Sequence, residues 1–318
     1  MSAAPRRSRL VPAAPWSGFG PGKVILLGEH AVVYGHPALA GPLSWGVTAT
    51  GVRAPSCALV LPKSVRGPGR VLLERAFEAA AKTCGRPRVR VSVESDLPVS
   101  MGLGSSAALA VACARLLLLA RGEEGTVARV SEVAQAMEHE FHGTPSGVDH
   151  TVSVRGELLR FRRGLDGRKD TVRVVVSPRP LKVVVALVGS RPATKVTVGA
   201  LRERQARWPA RYARLFRSMG QLADEGALAV EEGSWEALGD AMNVNQGLLA
   251  AAGLSSLGLE TALDQMRKLG ALGAKLTGAG GDGGALLGLF PDPEWAAPRL
   301  MKAGLRCFTS QVAGPRTL

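Results

Sequence analysis

Apolar and polar positions along this chain follow two different periods. Residues 89–93 (Val-Arg-Val-Ser-Val) alternate apolar and polar, which predicts a half-buried strand, and the apolar run at 23–27, bounded by glycines, predicts another. Between residues 106 and 121 the pattern becomes Ala/Leu-rich with helical spacing, and a second helix fits residues 130–141, stopping at Gly143. The continuous apolar run at 182–188 reads as a buried strand that begins a second region. Helical patterns follow at 198–207, 212–225, 235–251 and 257–269, and strand-like runs return at 285–290 and 307–312. Strands and helices are mixed in both halves, so the expected class is α+β. Two domains are expected, 1–179 and 180–318, with residues 1–17 as a loose Pro/Ala/Arg tail. The pattern contains no internal repeat.

Composition adds three constraints. Aromatics are only 4% of the chain, so Ala, Val and Leu must build the core. The net charge of +14 comes mostly from arginines scattered over the whole length. A nucleic-acid module would gather that charge on one face with stacking aromatics, and no such signature is present; a solvated basic surface is the leading reading, with attraction of anionic substrates the second. The four cysteines, Cys57, Cys84, Cys113 and Cys307, form no C-x-x-C pair, so neither zinc nor a disulfide framework is implied and a reducing cytoplasm is expected. Arg6, Arg7 and Arg9 are followed by a Pro-rich stretch, not the apolar region of an export signal. The longest apolar run, 107–120, is broken by Arg115 and reads as a buried helix, with no membrane partner expected.

Three glycine-bearing segments carry the candidate chemistry. The first, Pro21-Gly22-Lys23-Val24-Ile25-Leu26-Leu27-Gly28-Glu29-His30, puts a lysine at the mouth of a strand and a Gly-Glu-His turn at its end. Val24 follows Lys23 where a Walker loop needs Ser or Thr, so that motif is excluded. The second, Met101-Gly102-Leu103-Gly104-Ser105-Ser106-Ala107, leads into a helix whose unpaired N–H groups form a nest for phosphate, with Ser105 or Ser106 as candidate N-cap. A Pro-containing loop separates it from the preceding strand, unlike a Rossmann turn. The third, Lys275-Leu276-Thr277-Gly278-Ala279-Gly280-Gly281-Asp282, contains a literal G-x-G-x-x-G followed by a strand-like run, which reads as a hairpin.

In order and spacing these segments resemble the three signature motifs of the GHMP kinases, most nearly those that phosphorylate mevalonate. His142-Gly143-Thr144-Pro145-Ser146-Gly147-Val148-Asp149 and Met242-Asn243-Val244-Asn245-Gln246-Gly247-Leu248-Leu249 are similar to two further family segments. The resemblance runs from about residue 20 to 290. It implies an α+β, two-domain fold: an N-terminal ATP-binding domain like domain 2 of ribosomal protein S5, then a ferredoxin-like C-terminal domain. Two departures stand out. Asp282 occupies a position that is usually glycine, and the segment between Gly51 and Pro87 carries no family motif for adenine.

The resemblance also implies a reaction, transfer of the γ-phosphate of ATP to the hydroxyl of mevalonate, with Mg2+ as cofactor and no nucleic-acid partner; it admits a homodimer. It implies an ATP site made of Ser95, Met101, Gly102, Leu103, Gly104, Ser105, Ser106, Ala107, Gly278, Gly280 and Gly281. The metal would be held by Ser106 and Glu138, and the substrate by Lys23, Glu29, His30, Asp149 and Thr194. By periodicity alone Glu138 and Glu140 both lie beside the apolar stripe of their helix, and only the family register selects Glu138. Asp149 is expected at the end of a loop as general base, with Lys23 nearby to lower the pKa of the substrate hydroxyl. His36, His139 and His150 match no motif and are expected to be surface or structural. A galactokinase-like member would carry an Asn-rich sugar motif after Gly28-Glu29-His30, and a phosphomevalonate kinase a tyrosine in place of His30. A catalytically silent relative would have lost Lys23, Glu138 or Asp149, and all three are present.

Overall fold

The computed structural model describes residues 15–98, 101–142, 147–189 and 194–314. The chain begins with strand β1 (Trp16–Leu27) and a single 3-10 turn (Ala31–Tyr34), followed by the long strand β2 (Pro37–Arg53) and the short β3 (Ala58–Val60). Helix α1 (Gly67–Thr83) and strand β4 (Val89–Ser95) precede α2 (Ser105–Ala120), α3 (Val127–His142) and α4 (Val148–Arg155). Strands β5 (Leu159–Arg162), β6 (Thr171–Val174) and β7 (Leu181–Val188) lead to α5 (Thr194–Arg207), α6 (Pro209–Glu232), α7 (Trp235–Ala251) and α8 (Leu257–Lys268). The chain closes with β8 (Gly273–Thr277), β9 (Gly284–Leu289), α9 (Pro293–Lys302) and β10 (Arg306–Ala313).

Two sheets organise these elements. The first follows the order β3-β4-β2-β5-β6, with β1 paired antiparallel to β2. The second is antiparallel in the order β10-β7-β9-β8. Counted along the chain that order is 4-1-3-2, the arrangement of a split βαβ, ferredoxin-like unit with helices between its first and second strands. The two-domain mixed α/β fold expected from the motifs is therefore observed. Strand β1 starts at Trp16, which is buried at 4% exposure, so residues 16 and 17 belong to the sheet and not to a tail.

Strand β1 is the platform for the site, because helix α2 lies directly on it. Gly18 and Gly20 face the helix, and a Cβ at either would sit 2.4 Å from the Ala112 carbonyl oxygen or 1.9 Å from that of Ala108. Such close backbone approach is open only to glycine. It brings the N-terminus of α2 beside Lys23, just past a register shift between Pro21 and Lys23. Apolar residues on every face make α2 almost wholly buried, from Ala107 to Leu118, so the helix is held by packing on both sides.

On the second sheet β8 is an edge strand, and helix α7 covers its open backbone groups. Asn243 Oδ1 accepts from the Ala274 N–H at 3.0 Å and its Nδ2 donates to the Leu272 carbonyl at 3.0 Å. Gln246 Oε1 accepts from the Leu276 N–H at 2.9 Å. Two amide side chains three residues apart on one helix face thus satisfy a strand edge that would otherwise offer unpaired groups.

Candidate active site

Three segments distant in sequence meet at the start of α2. Lys23 is almost fully buried; its backbone N–H donates to the Leu103 carbonyl at 2.9 Å and its Nζ to the Gly102 carbonyl at 3.1 Å. The same ammonium lies 3.2 Å from Asp149 Oδ1, whose side chain is 40% exposed. Gly104 has φ +75, and a Cβ there would be 2.8 Å from Lys23 Cγ. The aliphatic stem of the lysine runs past this bare backbone. Gly102, at φ +81, faces the third motif: a Cβ on it would lie 3.7 Å from the Cα of Gly278. Lys23, Gly102, Gly104, Asp149 and Gly278 are thus brought together.

The cap of α2 differs from the expectation. Gly104 in a left-handed conformation is the N-cap and no side chain caps the helix, so Ser105 and Ser106 occupy its first two positions. Glycine serves here because the loop must turn past Lys23, and the first N–H groups of α2 then face the loop. Met101 and Leu103 are buried, which points their side chains into the core and leaves their backbone to shape the cradle. Ser95 ends β4 in an exposed position, its Oγ accepting from the Leu97 N–H at 3.2 Å.

Asp149 also sits differently from the loop end expected for it. It occupies the first turn of α4, with Gly147 (φ +85) as N-cap. A carboxylate there is favoured by the positive end of the helix dipole and fixed more firmly than in a loop. Residues 143–146 of that motif and 190–193, just before Thr194, lie outside the described residues, as does the side chain of Thr194.

Glu138 and Glu140 separate cleanly. Glu140 leaves the site to pair with Arg75 of α1. Glu138 is buried, and among the described residues its Oε1 has no hydrogen-bond partner. Burial, reinforced by the negative charge of Asp149, pushes its carboxyl up to about 7. A desolvated carboxylate beside a second one is a place where a cation would be strongly favoured. Together with a serine in the first turn of α2, it fits a hard divalent ion with oxygen ligands.

The Gly28-Glu29-His30 turn is built around strain. The Ala31 N–H donates to the Glu29 carbonyl at 2.6 Å, closing a three-residue turn with His30 at φ +59 and ψ −44. This is the rare positive-φ γ-turn, which persists only when its surroundings hold it. On one side His30 Nε2 donates to the Ala279 carbonyl at 3.1 Å. Burial lowers its pKa to about 4, so the ring is neutral. On the other side Glu29 is buried against the Lys275 ammonium through Oε1, and Asn245 Nδ2 donates to its Oε2 at 3.1 Å. Both carboxylate oxygens of Glu29 are therefore taken up by protein groups. These contacts hold the Glu29 carboxylate inside the turn, next to His30. Burial pushes Glu29 up and Lys275 down; their mutual attraction opposes both shifts, and the hydrogen bond from Asn245 also counters the rise at Glu29.

Gly280 and Gly281 likewise have packing partners. The Gly281 N–H donates to the Leu254 carbonyl at 2.9 Å, and a Cβ on Gly280 would be 2.2 Å from that oxygen. A Cβ on Gly281 would meet Thr197 Oγ1 of α5 at 2.6 Å. Asp282 points to solvent. Lys275 was missed from sequence, although a lysine inside an apolar, strand-like run was the available signal. The 600 Å³ cavity beside Phe19, Leu43, Arg115 and Val312 lies away from these groups.

This arrangement provides a cation, a carboxylate and a cradle of backbone N–H groups at one point, the parts that phosphoryl transfer requires. Comparison with known proteins agrees with it. The GHMP kinases N terminal domain model matches residues 71–157 and the GHMP kinases C terminal model residues 227–297. The chain is 34% identical to a mevalonate kinase of Aeropyrum pernix, over 92% of this chain and 94% of that protein. It is 33% identical to one of Thermococcus sibiricus, over 86% and 89%. The crystal structure of L. major mevalonate kinase in complex with R-mevalonate superposes with a TM-score of 0.84 at 25% identity, covering 96% of this chain and all of that one. The chain belongs to the GHMP kinase family.

Proposed function

We propose that this protein transfers the γ-phosphoryl group of ATP to the 5-hydroxyl of mevalonate, giving 5-phosphomevalonate and ADP. The observation that carries the reading is the Lys23 ammonium, held 3.1 Å from the Gly102 carbonyl and 3.2 Å from Asp149 at the open end of the α2 cradle. Backbone N–H groups of the Gly102–Ser106 loop hold the triphosphate. Asp149 accepts the hydroxyl proton as the substrate oxygen bonds to the γ-phosphorus, and the bond from that phosphorus to the β,γ-bridging oxygen breaks. Lys23 stabilises the negative charge on the attacking oxygen. Ser106 and Glu138 would hold Mg2+, which neutralises phosphate charge when bound. The neutral ring of His30 faces the substrate side, kept in place by Ala279 on one flank and by the Glu29–Lys275 pair on the other.

A coupled ADP-release assay with mevalonate, phosphomevalonate, galactose and homoserine tests this. Strong turnover is expected with mevalonate alone. Comparable turnover with another acceptor would overturn the substrate while keeping the kinase.

A further inference from the structure

His150 was expected to be surface or structural, yet its surroundings connect it to the carboxylate described above. Ser131 and Glu138 lie seven residues apart on α3, two turns along one stripe of the helix. Helix α4 inserts His150 between them, with the ring buried at 5% exposure. Its Nε2 is 2.8 Å from Ser131 Oγ. Its Nδ1 is 4.0 Å from Glu138 Oε2, and among the described residues neither Nδ1 nor Glu138 Oε1 has a hydrogen-bond partner. A cavity of about 380 Å³ adjoins both groups, lined also by Gln135, Gly147, Thr151 and Asp170. Buried polar atoms without partners are rare in folded proteins, and two on neighbouring side chains beside a polar cavity call for an explanation.

We propose that His150 is a positioning residue that orients Glu138 for the metal ion. The Ser131 hydroxyl donates to Nε2, which leaves the hydrogen on Nδ1, the atom that faces the carboxylate. The Nδ1–H then holds one oxygen of Glu138, directly after a small shift or through one water in the adjoining cavity, while the other oxygen is free for the cation. Outer hydrogen bonds of this kind set both the aim and the basicity of a metal-binding carboxylate. Asp149 precedes His150 in the first turn of α4, so the buried ring also anchors the turn that carries the base. The inference rests on the reading of Glu138 as a metal ligand.

The test is the affinity of the full-length protein for Mn2+ in the presence of a non-hydrolysable ATP analogue, measured by calorimetry. His150→Phe keeps a flat ring but removes the donor, and should weaken Mn2+ binding by about tenfold or more. Ser131→Ala should weaken it less, in the same direction. His150→Asn, which places an amide donor near the position of Nδ1, should recover most of the loss. Binding of the nucleotide without metal should be the same in all three. If Glu138→Gln weakens Mn2+ binding and His150→Phe does not, His150 is scaffold only and the proposal is overturned. If Glu138→Gln has no effect, the metal reading falls and the proposal with it. Should His150→Phe not fold, wild-type Mn2+ affinity in Ser131→Ala overturns the proposal by itself.

Discussion

At Asp149 a half-exposed carboxylate meets the buried ammonium of Lys23, and the two groups have different tasks in the proposed reaction. Asp149→Asn keeps the shape and removes the proton acceptor. Its kcat should fall by about 10²–10⁴, with nucleotide affinity unchanged by calorimetry; near-normal turnover would remove Asp149 from the chemistry. His30 bears on stability. Its ordinary value is 6.5, and burial takes it to about 4 in the fold. A depressed value means that the unfolded chain takes up the proton first. The stabilising contribution is therefore fully present above about 6.5 and is lost as pH falls toward about 4. His30→Gln retains a donor for the Ala279 carbonyl and does not titrate. The decline of Tm between pH 6.5 and 4 should be shallower in this variant than in the parent, and identical slopes would refute the assignment. From sequence Lys23 and Asp149 were legible as candidates because they lie inside the motifs, whereas Glu138 was chosen over Glu140 only by the family register. The partners were not: nothing near Glu29 in the chain points to Lys275, since that pairing is made only when β8 folds against the end of β1.

At the scale of elements, legibility followed the length and spacing of apolar runs. Helix α7 has the bounds its periodicity predicts, 235–251, and α2 and β7 are each within a residue at both ends. Strand β2 escaped notice because Gly41, Pro42, Gly46 and Gly51 read as punctuation. In the sheet those glycines admit close neighbours: a Cβ on Gly46 would lie 2.3 Å from the Gly20 carbonyl oxygen. Helix α1 was hidden by the Gly-Pro-Gly that opens it, and α4 by the glycine and proline before it. The contact of β1 with α2 depends on bare backbone at Gly18 and Gly20, and this can be probed. Gly20→Ala forces α2 outward and should cost about 1–3 kcal/mol in urea unfolding, with a raised KM for ATP as the cradle moves from Lys23. Gly69→Ala is the control: no atom lies within 4 Å of its Cβ position, near the start of α1. There the substitution should be neutral or stabilising, by up to about 1 kcal/mol. Equal costs at the two positions would show that close packing at Gly20 is not the cause.

Across the whole molecule the net charge of +14 should draw in anionic substrates. The expected result is a several-fold fall in kcat/KM for ATP between about 20 and about 200 mM salt, as the Debye length shortens, with kcat little changed; a flat profile would assign the charge to no kinetic role. The two sheets meet beside the candidate site, and their junction is polar. Thr277 Oγ1 donates to the Ile25 carbonyl at 3.1 Å and accepts from the Ile25 N–H at 2.9 Å, tying β8 to β1. Beside it the fully buried Lys275 of β8 pairs with Glu29, and Asn245 of α7 completes the cluster. Such a pair contributes little net stability, since its attraction mainly offsets desolvation, but removing one partner leaves an uncompensated charge. Lys275→Met should therefore cost about 3–5 kcal/mol in urea unfolding, whereas Glu29→Gln with Lys275→Met should cost much less. Because the pair also braces the γ-turn at His30, the double variant should fold and yet show a raised KM for mevalonate, with ATP affinity retained. A double variant as unstable as Lys275→Met alone would mean that packing, not the stranded charge, dominates. One with unchanged KM for mevalonate would mean that Ala279 and the surrounding backbone hold His30 without help from the second sheet's lysine.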